Sequence, residues 1–238
     1  MSSTAEGRRT PTALVVGASR GLGRAMAAEL LDRGWDVVGT VRDTAARTPL
    51  HDLADRAGGR VTVERLDVNE PGHLPPLRER LAGRGIDLLL VAAGTTNNQT
   101  TPVGAISTED FVEVMTTNAL GPMRVIEALQ DLVSPTGLIA VLSSGEGSIT
   151  NNTAGGREVY RGSKAALNMF MRGFAARQAG TLRALVLLAP GWIRTDGGGP
   201  EAPYTVEEST PLLVDVLLSR AGTPGLAYLD RSGDTVPW

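Results

Sequence analysis

The sequence predicts an α/β fold, a doubly wound, mostly parallel sheet of seven strands with helices on both faces. Three observations carry this. Short aliphatic runs recur along the 238 residues. Within each run successive positions are apolar, so both faces of the strand are covered. The segments between runs are roughly ten to twenty residues long with helical spacing, the length a parallel crossover requires.

The elements follow in order. The polar start "MSSTAEGRRT" has no apolar stretch of its own and reads as a disordered tail over 1–10, leaving 11–238 as a single domain. Strands are expected at "TALVV" 12–16, "WDVVGTV" 35–41, "RVTVERL" 60–66, "IDLLLVAA" 86–93, "GLIAVLS" 137–143, "LRALVLLA" 182–189 and "GLAYL" 225–229. Helices are expected over 22–33, 72–83, 109–130, 157–179 and 206–219, with "STED" 107–110 as a capping signal for the third of these. The long loops, 94–106, 144–156 and 194–205, all follow strand C-termini, where an open α/β sheet builds its site.

Composition narrows the function. A net charge of −3 with arginines interleaved among acids argues against a nucleic-acid partner. There is no cysteine, and His51 and His73 lack ligand spacing, so no metal is expected. No apolar stretch has membrane-spanning length, and the expected location is the cytoplasm. Of 23 basic residues a single one is lysine, Lys164, in "YRGSKAAL". Arginine serves wherever a positive charge suffices, so position 164 asks for something a guanidinium lacks.

"VVGASRGLGRAMAAEL" places Gly17, Gly21 and Gly23 after the first strand and at the mouth of a helix. Side chains there would block the tight turn or the approach of a pyrophosphate to the helix N-terminus. Tyr160 and Lys164 stand one helical turn apart on one face. A phenol with an ordinary pKa near 10 is a poor acid–base group at neutral pH, and a neighbouring ammonium favours its phenolate.

The G-x-x-x-G-x-G spacing together with "YRGSK" resembles the short-chain dehydrogenase/reductase family, a Rossmann-type fold, over about residue 11 to the end. The strings "GWIRTDGGGPEAPYTVEES", "NNTAGG…YRGSKAALN" and the ending "VPW" resemble a narrower branch, the C-factor and sniffer-like carbonyl reductases. The resemblance implies a catalytic tetrad of Asn118, Ser144, Tyr160 and Lys164. Tyr160 would exchange the proton and Ser144, chosen over Ser143 and Ser148, would orient the substrate oxygen. Lys164 would also hold the nicotinamide ribose, and Asn118 would anchor a water relaying protons to it. Asn118 also reads as an ordinary polar helix residue. The interval from Ser144 to Tyr160 is longer than the family's usual one, so "SITNNTAGG" is expected to bulge at the substrate mouth.

The cofactor implied is NADP(H) in preference to NAD(H). Ser19, Arg20 and Leu22 complete the glycine turn. The second strand ends "VVGTVRD" without an acid before Asp43, and Arg42 projects where a 2′-phosphate would lie. Both arginines also read as solvated surface charges. Asp67 and Val68 match an adenine-contacting pair, though Asp67 alone reads as a turn residue. "VAAG" keeps Ala93 and Gly94 of the family's Asn-Asn-Ala-Gly and loses both asparagines. Pro190, Gly191, Ile193 and Thr195 would border the nicotinamide. Thr95, Thr96, Asn97, Glu146, Asn151, Trp192, Tyr204 and the tail 228–238 are candidates for the substrate wall, and the lid after the sixth strand is expected to be small.

The expected activity is reduction of a ketone or aldehyde to an alcohol, or the reverse, on a small-molecule substrate. A dinucleotide-binding sensor or signalling protein, and an epimerase or dehydratase built on the same tetrad, are the alternatives. The family's habit of pairing through the helices at 109–130 and 157–179 implies a homodimer or homotetramer.

Overall fold

The computed structural model describes residues 9–96 and 100–238; residues 1–8 of the expected tail and Asn97 lie outside the described residues. Arg9 does not belong to a free tail. Its guanidinium pairs with Asp87 at 2.7 Å, and the other oxygen of that carboxylate accepts the Thr12 N–H at 2.9 Å.

Seven strands form one sheet: β1 (Thr12–Val16), β2 (Asp36–Val41), β3 (Val61–Arg65), β4 (Ile86–Val91), β5 (Val133–Leu142), β6 (Ala184–Ala189) and β7 (Gly225–Asp230). Their order is β3-β2-β1-β4-β5-β6-β7, and every neighbouring pair is parallel, a step beyond the mostly parallel expectation. The helices are α1 (Gly21–Asp32), α2 (Pro49–Arg56), α3 (Leu74–Leu81), α4 (Thr108–Met115), α5 (Gly121–Leu129), α6 (Glu158–Arg177) and α7 (Val206–Ser219).

The doubly covered sheet follows from the strands' two-residue period. Leu14, Val16, Leu89, Val91, Leu185 and Leu187 face one core, built with α3, α5 and α6 through Leu77, Ile126, Leu167 and Phe174. Their immediate neighbours Ala13, Val15, Leu88, Leu90, Val186 and Leu188 face the other, built with α1, α2 and α7 through Met26, Leu50 and Leu217. The chain order reverses between β1 and β4, which opens a crevice beyond the strand C-termini at that point.

Three expectations need correction. Helix α2 is not among the five predicted, because it is short and Pro49 resembles a breaker. Pro49 instead occupies the first turn, where its missing N–H costs nothing, and Thr48 and His51 close a capping box around it. β5 begins at Val133, four residues earlier than expected, with an irregularity between the Ile86 and Leu88 pairings. The helix expected over 109–130 is not uniform either: Thr116–Leu120 form a π turn between α4 and α5, in which the Gly121 N–H reaches back to Thr116 O. Pro122, four residues after Asn118, supplies no N–H, so the regular ladder cannot pass this point and the turn widens.

Two glycines set how closely α1 and the first turn approach the sheet. Gly17 has φ +85 and sits so near the chain after β4 that a Cβ would lie 2.7 Å from Ala93 N. A Cβ on Gly23 would lie 2.3 Å from Gly17 O. Backbone, unlike a side-chain tip, cannot swing aside. Gly23→Ala should therefore destabilise the fold by roughly 1–3 kcal/mol, seen as a fall of several degrees in melting temperature; an unchanged melting curve would refute this account of the turn.

Candidate active site

The glycine turn is held from below. Thr40 Oγ1, at the end of β2, accepts the Gly17 N–H at 3.1 Å, a support that the sequence did not single out. Arg20 precedes α1 without a side-chain cap, and no acid occupies the helix's first turn. The leading residues of α1 border a cavity of about 490 Å³, and among the described residues no side chain caps their N–H groups, a setting for an anion.

That cavity gathers most of the residues expected there. Gly17, Ser19, Arg20, Gly21, Leu22, Gly23, Arg42, Asp67, Val68, Ala93, Gly94 and Thr195 all line it. Arg42 has no ion pair or side-chain hydrogen bond among the described residues. Asp43, the first acid after β2, accepts the Ala45 N–H at 2.9 Å within its own turn. Arg20, by contrast, pairs across the crevice with Asp196 at 2.8 Å. Asp67 does serve as a turn residue, accepting the Asn69 N–H at 2.9 Å, while also lining the cavity.

A second cavity of about 690 Å³ shares Leu22, Gly94 and Thr195 with the first, so the two are ends of one cleft. Ser144, Tyr160, Lys164, Pro190, Gly191 and Ile193 line it, together with Thr95, Thr96, Glu146 and Trp192 of the expected substrate wall. Asn151, Tyr204 and the segment 228–238 do not. The lid expected after β6 is short and bonded to itself: Trp192 Nε1 donates to Gly198 O at 2.6 Å, and Arg194 N to Tyr204 O at 2.8 Å.

The tail has a different task. Tyr228 OH donates to the backbone carbonyl of Ser144, the Trp238 ring packs 5.3 Å from Tyr228, and Trp238 O accepts the Thr150 N–H at 3.0 Å. It braces the end of β5 from behind. Ser143 and Ser148 are committed elsewhere: Ser143 Oγ donates to Asn168 Oδ1 at 2.6 Å, and Ser148 Oγ accepts the Asn151 N–H at 3.1 Å. Ser144 Oγ accepts the Glu146 N–H at 3.2 Å and lines the same cavity as the Tyr160 phenol.

Lys164 is only 4% exposed. Its Nζ donates to Leu142 O at 2.8 Å and lies 5.9 Å from the Tyr160 ring centre. Burial pushes the ammonium down from 10.5 to about 8. The segment after β5 packs onto α6 here with no room to spare, since a Cβ on Gly147 would lie 2.9 Å from Lys164 Cβ.

The phenol itself departs from expectation. Burial pushes Tyr160 above its ordinary value, while the Ser144 hydrogen bond and the Arg157 charge pull it down and Glu146 pushes it up. The cation nearest the ring is Arg157, its guanidinium carbon 4.6 Å from the ring centre. An i, i+3 spacing from Tyr160 was the available signal, masked by the abundance of arginine.

Asn118 is fully buried and lines neither cavity. Its Oδ1 accepts the Thr95 N–H at 2.8 Å, and its Nδ2 donates to Thr95 O at 2.9 Å and to Ser163 Oγ at 3.0 Å. Ser163 Oγ donates in turn to Tyr160 O at 2.7 Å. The side chain thus bolts the loop after β4 to the helix that carries Tyr160 and Lys164. Its Nδ2 donors are both taken and its Oδ1 holds the Thr95 N–H, while the Asn118 backbone carbonyl, for which Pro122 supplies no N–H, is a further acceptor that a relay water could use.

Comparison with known proteins agrees with this geometry. The short chain dehydrogenase family model matches residues 11–203. An NADP-bound crystal structure from Burkholderia multivorans is 58% identical, with a TM-score of 0.95 over 97% of this chain and all of that one. A carbonyl reductase from Pseudomonas aeruginosa PAO1 in complex with NADP is 35% identical, with a TM-score of 0.89 over 97% of this chain and all of that one. Among curated relatives, C-signal of Myxococcus xanthus is 34% identical over 155 residues, 64% of this chain and 93% of that protein. With a seven-stranded parallel sheet, a glycine turn under the crevice and a Ser–Tyr–Lys cluster at its far end, the chain belongs to the short-chain dehydrogenase/reductase family of oxidoreductases.

Proposed function

We propose that the protein is an NADPH-dependent carbonyl reductase, and the observation that carries the reading is that Ser144 and Tyr160 line the larger cavity together, with Lys164 one turn behind. The carbonyl reductase and the NADP-bound structures among its neighbours support it. When bound, the nicotinamide cofactor supplies the hydride. Tyr160 gives its proton to the substrate oxygen, and Ser144 Oγ holds that oxygen by a second hydrogen bond as its charge develops. Lys164, a compact ammonium, serves the ribose hydroxyls and the Tyr160 side chain at once. Asn118 acts on the reaction by fixing Thr95 and, through Ser163, the Tyr160 backbone.

The residues present fit NADPH. The uncapped start of α1 suits the pyrophosphate, and the free guanidinium of Arg42, with Asp43 turned to its own loop, suits a 2′-phosphate. Two copies would pair through α4–α6, which leave Phe111, Leu120, Met169 and Phe170 exposed. C-signal favours a second reading, a dinucleotide-binding sensor. A sensor has no use for the Ser144–Tyr160 pair, so NADPH oxidation against a panel of ketones, quinones and aldehydes separates the two. Tight NADPH binding with silence across the panel would favour the sensor.

Tyr160→Phe should bind NADPH like the parent and lose turnover by two or more orders of magnitude; turnover at the parental rate would sink the mechanism. Arg42→Ala should weaken NADPH binding roughly tenfold or more and leave NADH binding unchanged, which titration with the two cofactors measures. Lys164 titrates at about 8 in the free protein and is charged below that value. NADPH affinity should therefore hold between pH 6 and roughly pH 8 and weaken above it, by up to about tenfold per pH unit. Lys164→Arg, charged throughout, should flatten that profile and still lose most activity, because a guanidinium does not fit the space between Leu142 O and Gly147.

A further inference from the structure

We propose that Arg157 is a positioning residue for Tyr160, a cation held over the phenol ring by the Glu146 carboxylate and set there by a left-handed turn at the start of α6. The inference rests on the reading of Tyr160 as proton donor.

The backbone is the first observation. Gly155, Gly156 and Arg157 take φ values of +66, +71 and +50 in succession, and Arg157 is the one non-glycine residue in this region among those described. A third glycine would make the turn without steric cost, so what Arg157 adds is its side chain. The side chain is the second observation. Its Nη1 pairs with Glu146 Oε2 at 3.0 Å, and Arg161 holds the other oxygen of the same carboxylate at 3.2 Å. All three side chains are between 18% and 27% exposed, so the arrangement is largely withdrawn from solvent. It also faces the reaction, since Arg157 and Glu146 line the same cavity as Ser144 and Tyr160.

The consequence is electrostatic. A cation above an aromatic face is attracted to the ring's electrons, more strongly when the phenol has given up its proton. The charged and titratable groups acting on Tyr160 are Arg157 and Glu146, with Lys164 on its own helix and Tyr228 from β7. Arg157 is nearer the ring centre than Lys164, at 4.6 Å against 5.9 Å. The left-handed turn before Tyr160 therefore delivers a cation to the acid that the Tyr-x-x-x-Lys spacing does not encode.

The test is Arg157→Gly, which removes the cation and relieves the left-handed strain, assayed by NADPH-dependent reduction of the carbonyl compound turned over fastest in the panel. Reduction needs the protonated phenol, so its rate falls as pH rises through the Tyr160 titration. Without Arg157 that fall should move to higher pH and kcat at neutral pH should drop several-fold. The NADPH dissociation constant should not change, and the melting temperature should hold or rise. Arg157→Lys should restore part of the parental pH profile. Profiles and kcat superimposable on the parent's would overturn the proposal, as would a loss of kcat that only tracks a fall in melting temperature. Turnover surviving Tyr160→Phe would instead remove the reading on which the proposal rests.

Discussion

The constraint on which the site depends is the burial of one ammonium. Lys164 points from α6 into the space between the end of β5 and the loop after β4, where Leu142 O accepts a hydrogen bond from its Nζ. An ammonium out of water needs such an acceptor and close packing to hold it. Gly147 has no side chain because Lys164 occupies that room, and Gly94 passes close enough that a Cβ would lie 3.7 Å from Nζ. The loss of solvation that moves Lys164 to about 8 leaves its charge responsive to neighbours near neutral pH. A guanidinium in the same place would stay charged and would need more acceptors than one carbonyl.

Around this centre the support is mostly backbone held by side chains. Asn118 grips both polar groups of Thr95, Ser163 passes that hold to Tyr160 O, and Tyr228 grips the Ser144 carbonyl. The Asn118 and Tyr228 ties each join a segment of the cleft to an element outside it, and the Ser163 tie lies within α6. The two hydroxyls proposed to act on the substrate are therefore positioned by residues outside the cavity that they line.

Much of this was legible in the sequence where a residue type has one physical use. Consecutive apolar positions announced a sheet covered on both faces, and the glycines announced a turn too tight for a Cβ. A lone lysine among arginines announced a site for a point charge. What stayed hidden depends on distance in space. Arg157 is one arginine among twenty-two until the left-handed turn sets it over Tyr160. Helix α2 carries few apolar residues and opens on a proline, and Thr40 looks like one more strand residue until the glycine turn comes to rest on it. The tail was expected at the substrate wall because the resemblance implied a short lid and an open pocket beside it. The fold turns those aromatics toward the rear of β5 instead.

The contact from Tyr228 to Ser144 ties catalysis to the rim of the sheet. The glycine turn and the Arg42 and Asp67 segments that border the smaller cavity all come before residue 70, on β1 to β3. Ser144 is braced only once β7, the last strand in the chain and an outer edge of the sheet, has joined β6. The glycine turn has its own support in Thr40 on β2, while the Ser144 carbonyl takes its hydrogen bond from this last strand. The Ser144 wall of the cleft depends on the completed sheet, whereas the glycine turn and the Arg42 segment rest on β1 and β2.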